Sequence, residues 1–121
     1  MAQRTTARAF TDPDARDPRL RGREYAVPFA RVWEAALQTA RSLPRWTVQE
    51  ANGRTGEITA EARTLVWNLT DDVWIRVSLD EDGQTRVDVT SASRKARHDL
   101  GANARRIARF LRELDRRISG G

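Results

Sequence analysis

The sequence predicts an α+β domain: a four-stranded antiparallel meander with an N-terminal and a C-terminal helix packed on one face, in the order α-β-β-β-β-α. Three observations lead there. Two stretches, near Phe29 to Ala40 and near Leu100 to Ile118, repeat apolar residues at helical spacing, with polar residues on the other side. Between them lie runs that alternate apolar and polar side chains with the period of two that a pleated strand requires. Short, turn-rich connections join those runs, which favours antiparallel neighbours. A chain of 121 residues fits one domain, and at this size it can bury roughly 65% of the surface its unfolded form exposes.

The expected division is an extended arm over 1–24 and a single domain over 25–118. In the arm, Pro13 and Pro18 stand among Asp12, Asp14 and Asp17, and the sizeable apolar groups are Phe10 and Leu20. Such a composition builds no core of its own. It reads as a disordered tail, as an arm that orders against a partner with Phe10 as anchor, or as a cover folded over outward-facing tryptophans.

The first helix opens at Pro28, whose missing N–H is not needed at the first helical position. Phe29, Val32, Trp33, Ala36, Leu37 and Ala40 form its apolar face, Arg31, Glu34, Gln38 and Arg41 its wet one, and Pro44 ends it. Trp46 to Glu50 alternates, and Asn52-Gly53 is a turn signal. Ile58, Ala60 and Ala62 share one side of the next strand. Leu65 to Leu69 is apolar without a clear period, a continuation or a loop. Val73, Ile75, Val77 and Leu79 precede an Asp80-Glu81-Asp82-Gly83 turn, and Val87 and Val89 lie in the last strand. The final helix is expected to begin near Asp99 as N-cap. Leu100, Ala104, Ile107, Leu111, Leu114 and Ile118 make its buried stripe, with Arg105, Arg109, Arg112 and Arg116 on the far side. Gly101 inside that helix costs about 1 kcal/mol against alanine, which reads as close approach by a neighbour or as a tolerated surface glycine.

Composition removes several chemistries. There is no cysteine, hence no disulfide, thiolate nucleophile or zinc–sulfur site. His98 is the single histidine, too little for an ordinary metal site. No Gly-x-Ser-x-Gly turn surrounds Ser91 or Ser93, and no glycine-rich phosphate loop follows a strand. Asp71-Asp72 resembles an acid pair, but adjacent strand residues point to opposite faces and should diverge. The expectation is a chain that is not an enzyme and takes no cofactor or metal. No stretch approaches the roughly 20 apolar residues of a membrane span. Met1-Ala2-Gln3-Arg4 lacks the apolar segment of a secretory signal. A cytoplasmic setting is expected, with peripheral membrane attachment open.

The net charge of +5 is unevenly spread: +3 over Met1 to Arg23, −4 over Glu24 to Ser93 and +6 over Arg94 to Gly121. Such polarity speaks to partners rather than to fold. Trp33 and Trp46 belong to core faces. Trp74 is expected on the sheet face opposite the helices, with Trp67 beside it, and two aromatics on an uncovered face would mark an interface. The candidate partner-binding residues are therefore Phe10, Trp67, Trp74, Arg105, Arg109, Arg112 and Arg116. Their partner would be a protein with an acidic or apolar surface, a membrane complex included. Anionic lipid headgroups would also fit, whereas nucleic acid lacks the aromatic interleaving it needs.

Asp71-Asp72-Val73-Trp74-Ile75-Arg76-Val77, Val87-Asp88-Val89-Thr90-Ser91-Ala92-Ser93-Arg94 and Asp99-Leu100-Gly101-Ala102-Asn103-Ala104-Arg105-Arg106-Ile107 together resemble the bacterial and chloroplast family known as domain of unknown function 1499. Leu43-Pro44-Arg45-Trp46 is similar too. The likeness covers roughly Tyr25 to Leu114. It implies no reaction, because the family has none assigned. By association with phototrophs it implies a membrane or photosynthetic setting. The chain departs from the family at Ala96, often a glycine there, and in lacking the N-terminal cysteine motif of many members. Asp72, Ser91, Ser93, Arg94, Asp99, Asn103 and Arg106 are expected to form one polar network tying the last strand to the last helix, or else a ligand pocket. The functional expectation is a non-catalytic interaction module, an accessory subunit docking on a larger assembly. The alternative is a binder of a small apolar or acidic ligand between sheet and helices.

Overall fold

The computed structural model, which describes residues 6–120, opens with a strand where the sequence shows no alternation. β1 (Arg8–Phe10) is followed by a 3₁₀ turn at Pro18–Leu20 and by β2 (Arg23–Tyr25). Then come α1 (Phe29–Ser42), β3 (Trp46–Asn52), β4 (Glu57–Arg63), β5 (Thr70–Leu79), β6 (Thr85–Ser93) and α2 (Ala102–Gly120). Among the described residues the sheet has six strands, all paired antiparallel, in the order β1-β6-β5-β4-β3 with β2 also on β6. The expected four-strand meander is present as β3 to β6. Two strands of the arm extend it, so α1 lies in mid-chain.

Neither a disordered tail nor a partner-ordered arm describes residues 6–24. They order against their own sheet. β1 registers Ala9 with Ser91 and Phe10 with Thr90, and β2 registers Arg23 with Val87, so the two strands follow one edge of β6. The boundary expected at residue 24 falls inside β2. Main-chain bonds hold the arm, with Ala9, Leu20 and Tyr25 packed against the core: Ala7 exchanges bonds of 2.8 Å with Ser93 and Ala96, and Thr11 N–H donates to the Val89 carbonyl at 2.9 Å. A clasp secures the far end, where Tyr25 Oη donates to Asp115 Oδ1 at 2.6 Å and Arg23 Nε reaches the same carboxylate at 3.1 Å. Burial and the Asp115 carboxylate together push the Tyr25 hydroxyl pKa far up, so it stays a donor. The leader reading at Met1 to Arg4 lies outside the described residues, as do Thr5 and Gly121.

Alternation then sorts the faces. Ile58, Ala60 and Ala62 from β4, Val73, Ile75 and Val77 from β5, and Val87 and Val89 from β6 are buried toward the helices. They form one core with Val32, Ala36 and Leu37 of α1 and Ile107, Leu111 and Leu114 of α2. The buried side of the final helix departs from the expected stripe, most plainly at Phe110 and Leu100. Phe110, absent from it, is fully buried and stacks on Trp46 at 5.6 Å between ring centres. Leu100, expected to head it, is 90% exposed. The reason is that α2 starts only at Ala102; Leu100 and Gly101 precede it in left-handed backbone, at φ +53° and +80°. Gly101 is thus a turn residue, not a helix-interior one.

Candidate functional site

The two aspartates diverge as alternation requires, and each founds a separate cluster. Asp71 points to the helices, is 3% exposed, and meets Arg106 Nη1 at 2.8 Å. The same nitrogen donates to Asn103 Oδ1 at 2.9 Å and to Ser91 Oγ at 3.1 Å. Ser91 Oγ donates to Asn103 Oδ1 at 2.7 Å, and Asn103 Nδ2 donates to Asp99 Oδ2 at 2.7 Å and Ser93 Oγ at 3.1 Å. No buried side-chain polar atom among the described residues lacks a partner here. A fully satisfied network of this kind fixes the angle between β6 and α2.

Asp72 and Arg94 do not belong to it, contrary to the single network expected. Asp72 points to the open face, where it and Glu61 bind Arg94 at 2.7 and 2.8 Å. The parity of the strand decides this: Asp71 is in phase with Val73, Ile75 and Val77, whereas Asp72 is in phase with Trp74. Ser91, Ser93, Asp99, Asn103 and Arg106 are brought together as foreseen, around the other carboxylate.

Asp99 closes the start of α2 by accepting the Gly101 N–H and Asn103 N–H, both at 2.9 Å. Burial alone would raise its carboxyl pKa, but the N–H groups of Asn103 and Gly101 and the Asn103 amide outweigh burial and hold it below the ordinary range. Folding therefore favours the ionised form. That contribution is complete above the unfolded value near 4 and is lost as pH falls through the lower folded value. Asp99→Ala is expected to cost about 1 kcal/mol at neutral pH. Thermal denaturation across pH should show its gap from wild type closing in acid; a gap independent of pH would refute the ionic account.

Above this network lies a cleft of about 420 Å³. Leu65, Val66 and Trp67 of the β4–β5 loop form one wall, His98 and Leu100 of the β6–α2 loop the other, and Asp71, Ser93 and Arg106 line its base. The first loop is closed by Thr64 N–H to the Leu69 carbonyl and Leu69 N–H to Thr64 Oγ1, both 2.8 Å. Trp67 and Asn68 sit at φ +63° and +50°, a left-handed backbone common for asparagine and rare for a residue as bulky as tryptophan. Trp67, placed by sequence beside Trp74, is instead on this rim and 84% exposed. Trp74 is on the open sheet face as expected, in one row with Phe10 through Thr90. Arg105, Arg109, Arg112 and Arg116 are all exposed along α2. Sequence reasoning missed Asp71, Leu65, Val66 and Leu100. The aperiodic apolar run at Leu65 to Trp67 was the available signal.

Network residues, cleft and arm strands all fall within one family pattern: the family model described as protein of unknown function (DUF1499) matches residues 2–114. The chain belongs to the DUF1499 family. The match takes in the arm, which the resemblance over Tyr25 to Leu114 did not. In this family member, then, the pairing of β1 and β2 with β6 falls inside the family's span. No curated protein matches the chain. No helix among the described residues is long and apolar enough to cross a membrane.

Proposed function

We propose that this DUF1499 protein is a non-catalytic docking module whose working surface is the end bearing the β4–β5 and β6–α2 loops. One observation carries the reading: Leu65, Val66, Trp67 and Leu100, each at least 60% exposed, gather on two neighbouring loops. Large apolar side chains held in water at one place mark an interface. The partner it fits is apolar at the centre and negatively charged around it, because Arg63 and Arg105 line the same cleft as the tips, Lys95 lines a pocket with Asn68 and Leu69 of the first loop, and Arg97 is exposed in the second. An accessory subunit seated on a larger membrane-associated assembly, photosynthetic or otherwise, would use such a surface from the cytoplasmic side.

A second reading is favoured by the cleft itself. Its apolar walls and the Asp71–Arg106 pair at its base suit a small amphipathic or acidic ligand. Capture of the tagged chain from gently solubilised membranes and from the soluble fraction, in parallel with Trp67→Ser/Leu100→Ser, separates the readings. Docking predicts a stoichiometric complex retained by wild type and lost by the variant at unchanged melting temperature. A complex indifferent to the variant sinks the docking surface, as does the absence of any complex together with the absence of loop-dependent membrane binding. A co-purified small molecule would then favour the cleft.

A further inference from the structure

Resting on the docking reading, we infer that the partner of this end is the surface of an anionic lipid bilayer, with Leu65, Val66, Trp67 and Leu100 entering the headgroup layer. Charge is the first argument. Residues 63–70 contain no acid, and residues 94–101 contain one, Asp99, already engaged by the N–H groups of Gly101 and Asn103. Arg63 and Arg105 line the cleft with the tips, Lys95 lines a pocket with Asn68 and Leu69 of the first loop, and Arg97 is exposed in the second loop. An apolar tip with a cationic collar is what a negatively charged bilayer rewards: the tip leaves water while the collar meets phosphate. Tryptophan suits that depth, having an apolar body and one N–H donor.

The form of the collar is the second argument. Lys95 and Arg97 make no ion pair within the described residues, unlike Arg94, which is held by Asp72 and Glu61. Long, unfixed cations match laterally mobile headgroups better than the fixed carboxylates of a protein interface. The other exposed aromatics do not compete for this role. Phe10 and Trp74 are each about half exposed on a sheet face whose charges are of both signs, Arg8 and Arg76 beside them and Glu61, Asp72 and Asp88 paired with Arg94 and Arg86, so it lacks the cationic collar of the loop end.

Co-sedimentation of the full chain with vesicles tests this. Vesicles of equal parts phosphatidylglycerol and phosphatidylcholine should carry the protein down, and phosphatidylcholine alone should hold it at least about tenfold more weakly. Binding should weaken with added salt. Leu65→Ser/Trp67→Ser/Leu100→Ser should abolish it, and Lys95→Glu/Arg97→Glu should weaken it by about fivefold or more per site. Melting temperatures of these exposed-site variants should match wild type, and the single Trp67→Ser serves if the triple does not. Failure to bind anionic vesicles overturns the inference. So does binding that survives the tip variants and is lost in Arg109→Glu/Arg112→Glu, which would place lipid on the α2 stripe. If vesicles fail while a loop-dependent protein complex is captured, docking stands with a protein partner; if both fail, both readings fall.

Discussion

Arg106→Met is expected to lower the stability of the protein by about 3–5 kcal/mol. Asp71 is 3% exposed and Arg106 is its ion-pair partner, so methionine fills the aliphatic volume and leaves a carboxylate stranded in the interior. Ser91 Oγ and Asn103 Oδ1 each lose the Arg106 donor in the same step, although Asn103 Oδ1 keeps the Ser91 hydroxyl, so the stranded Asp71 carboxylate carries most of the cost. The loss should appear as a drop in denaturation midpoint with the slope against denaturant unchanged. The companion variant Asp71→Asn/Arg106→Met removes the stranded charge and should recover much of the loss; the difference between single and double changes measures the pair. If Arg106→Met leaves stability within about 1 kcal/mol of wild type, the network does not hold α2 to the sheet, and its residues would be better read as a ligand site.

Gly56→Ala is the second large effect, expected to cost about 2–5 kcal/mol from left-handed strain together with a steric clash. Gly56 ends the β3–β4 hairpin at φ +79°, and a Cβ built there would collide with the Val77 carbonyl oxygen. That collision is with backbone, which cannot swing aside as a side chain can. The Gly56 carbonyl also accepts the Val77 N–H at 2.7 Å, so relief by moving the hairpin would break a bond to β5. Gly83→Ala is the control: it shares a left-handed φ of +78°, but its Cβ would meet nothing within 4 Å. Chemical denaturation of both should rank Gly56→Ala well above Gly83→Ala; equal losses would mean that strain alone, not the close approach to β5, sets the cost.

Helices and central strands were legible because their signals are local. An amphipathic stripe or an alternating run is written in a dozen consecutive residues, and Val32, Ile75 and Leu111 lie where those periods put them. The arm was not legible. β1 and β2 are three residues each and bind through main-chain groups, which every sequence possesses. The choice between Asp71 and Asp72 was legible in principle, since the phase of Val73 and Ile75 extends back to Asp71. Leu100 was not: a difference of about two residues in where α2 starts moves it from core stripe to loop tip, and helix ends are placed no better than that.

Composition and periodicity alone determined that this chain builds an antiparallel sheet with two helices and keeps Asp71 and Asp72 apart. They also left an arginine-rich face on the last helix. Only the tertiary structure decided which residues share a site. Leu65 to Trp67 and His98 to Leu100 are some thirty residues apart in sequence. They meet because β5 pairs with β6 in a register that sets Asp71 opposite Ser93 and so brings the loop before β5 beside the loop after β6. Register is a property of the paired strands and not of either one, and for that reason the end bearing the two apolar loops was invisible until the sheet was assembled.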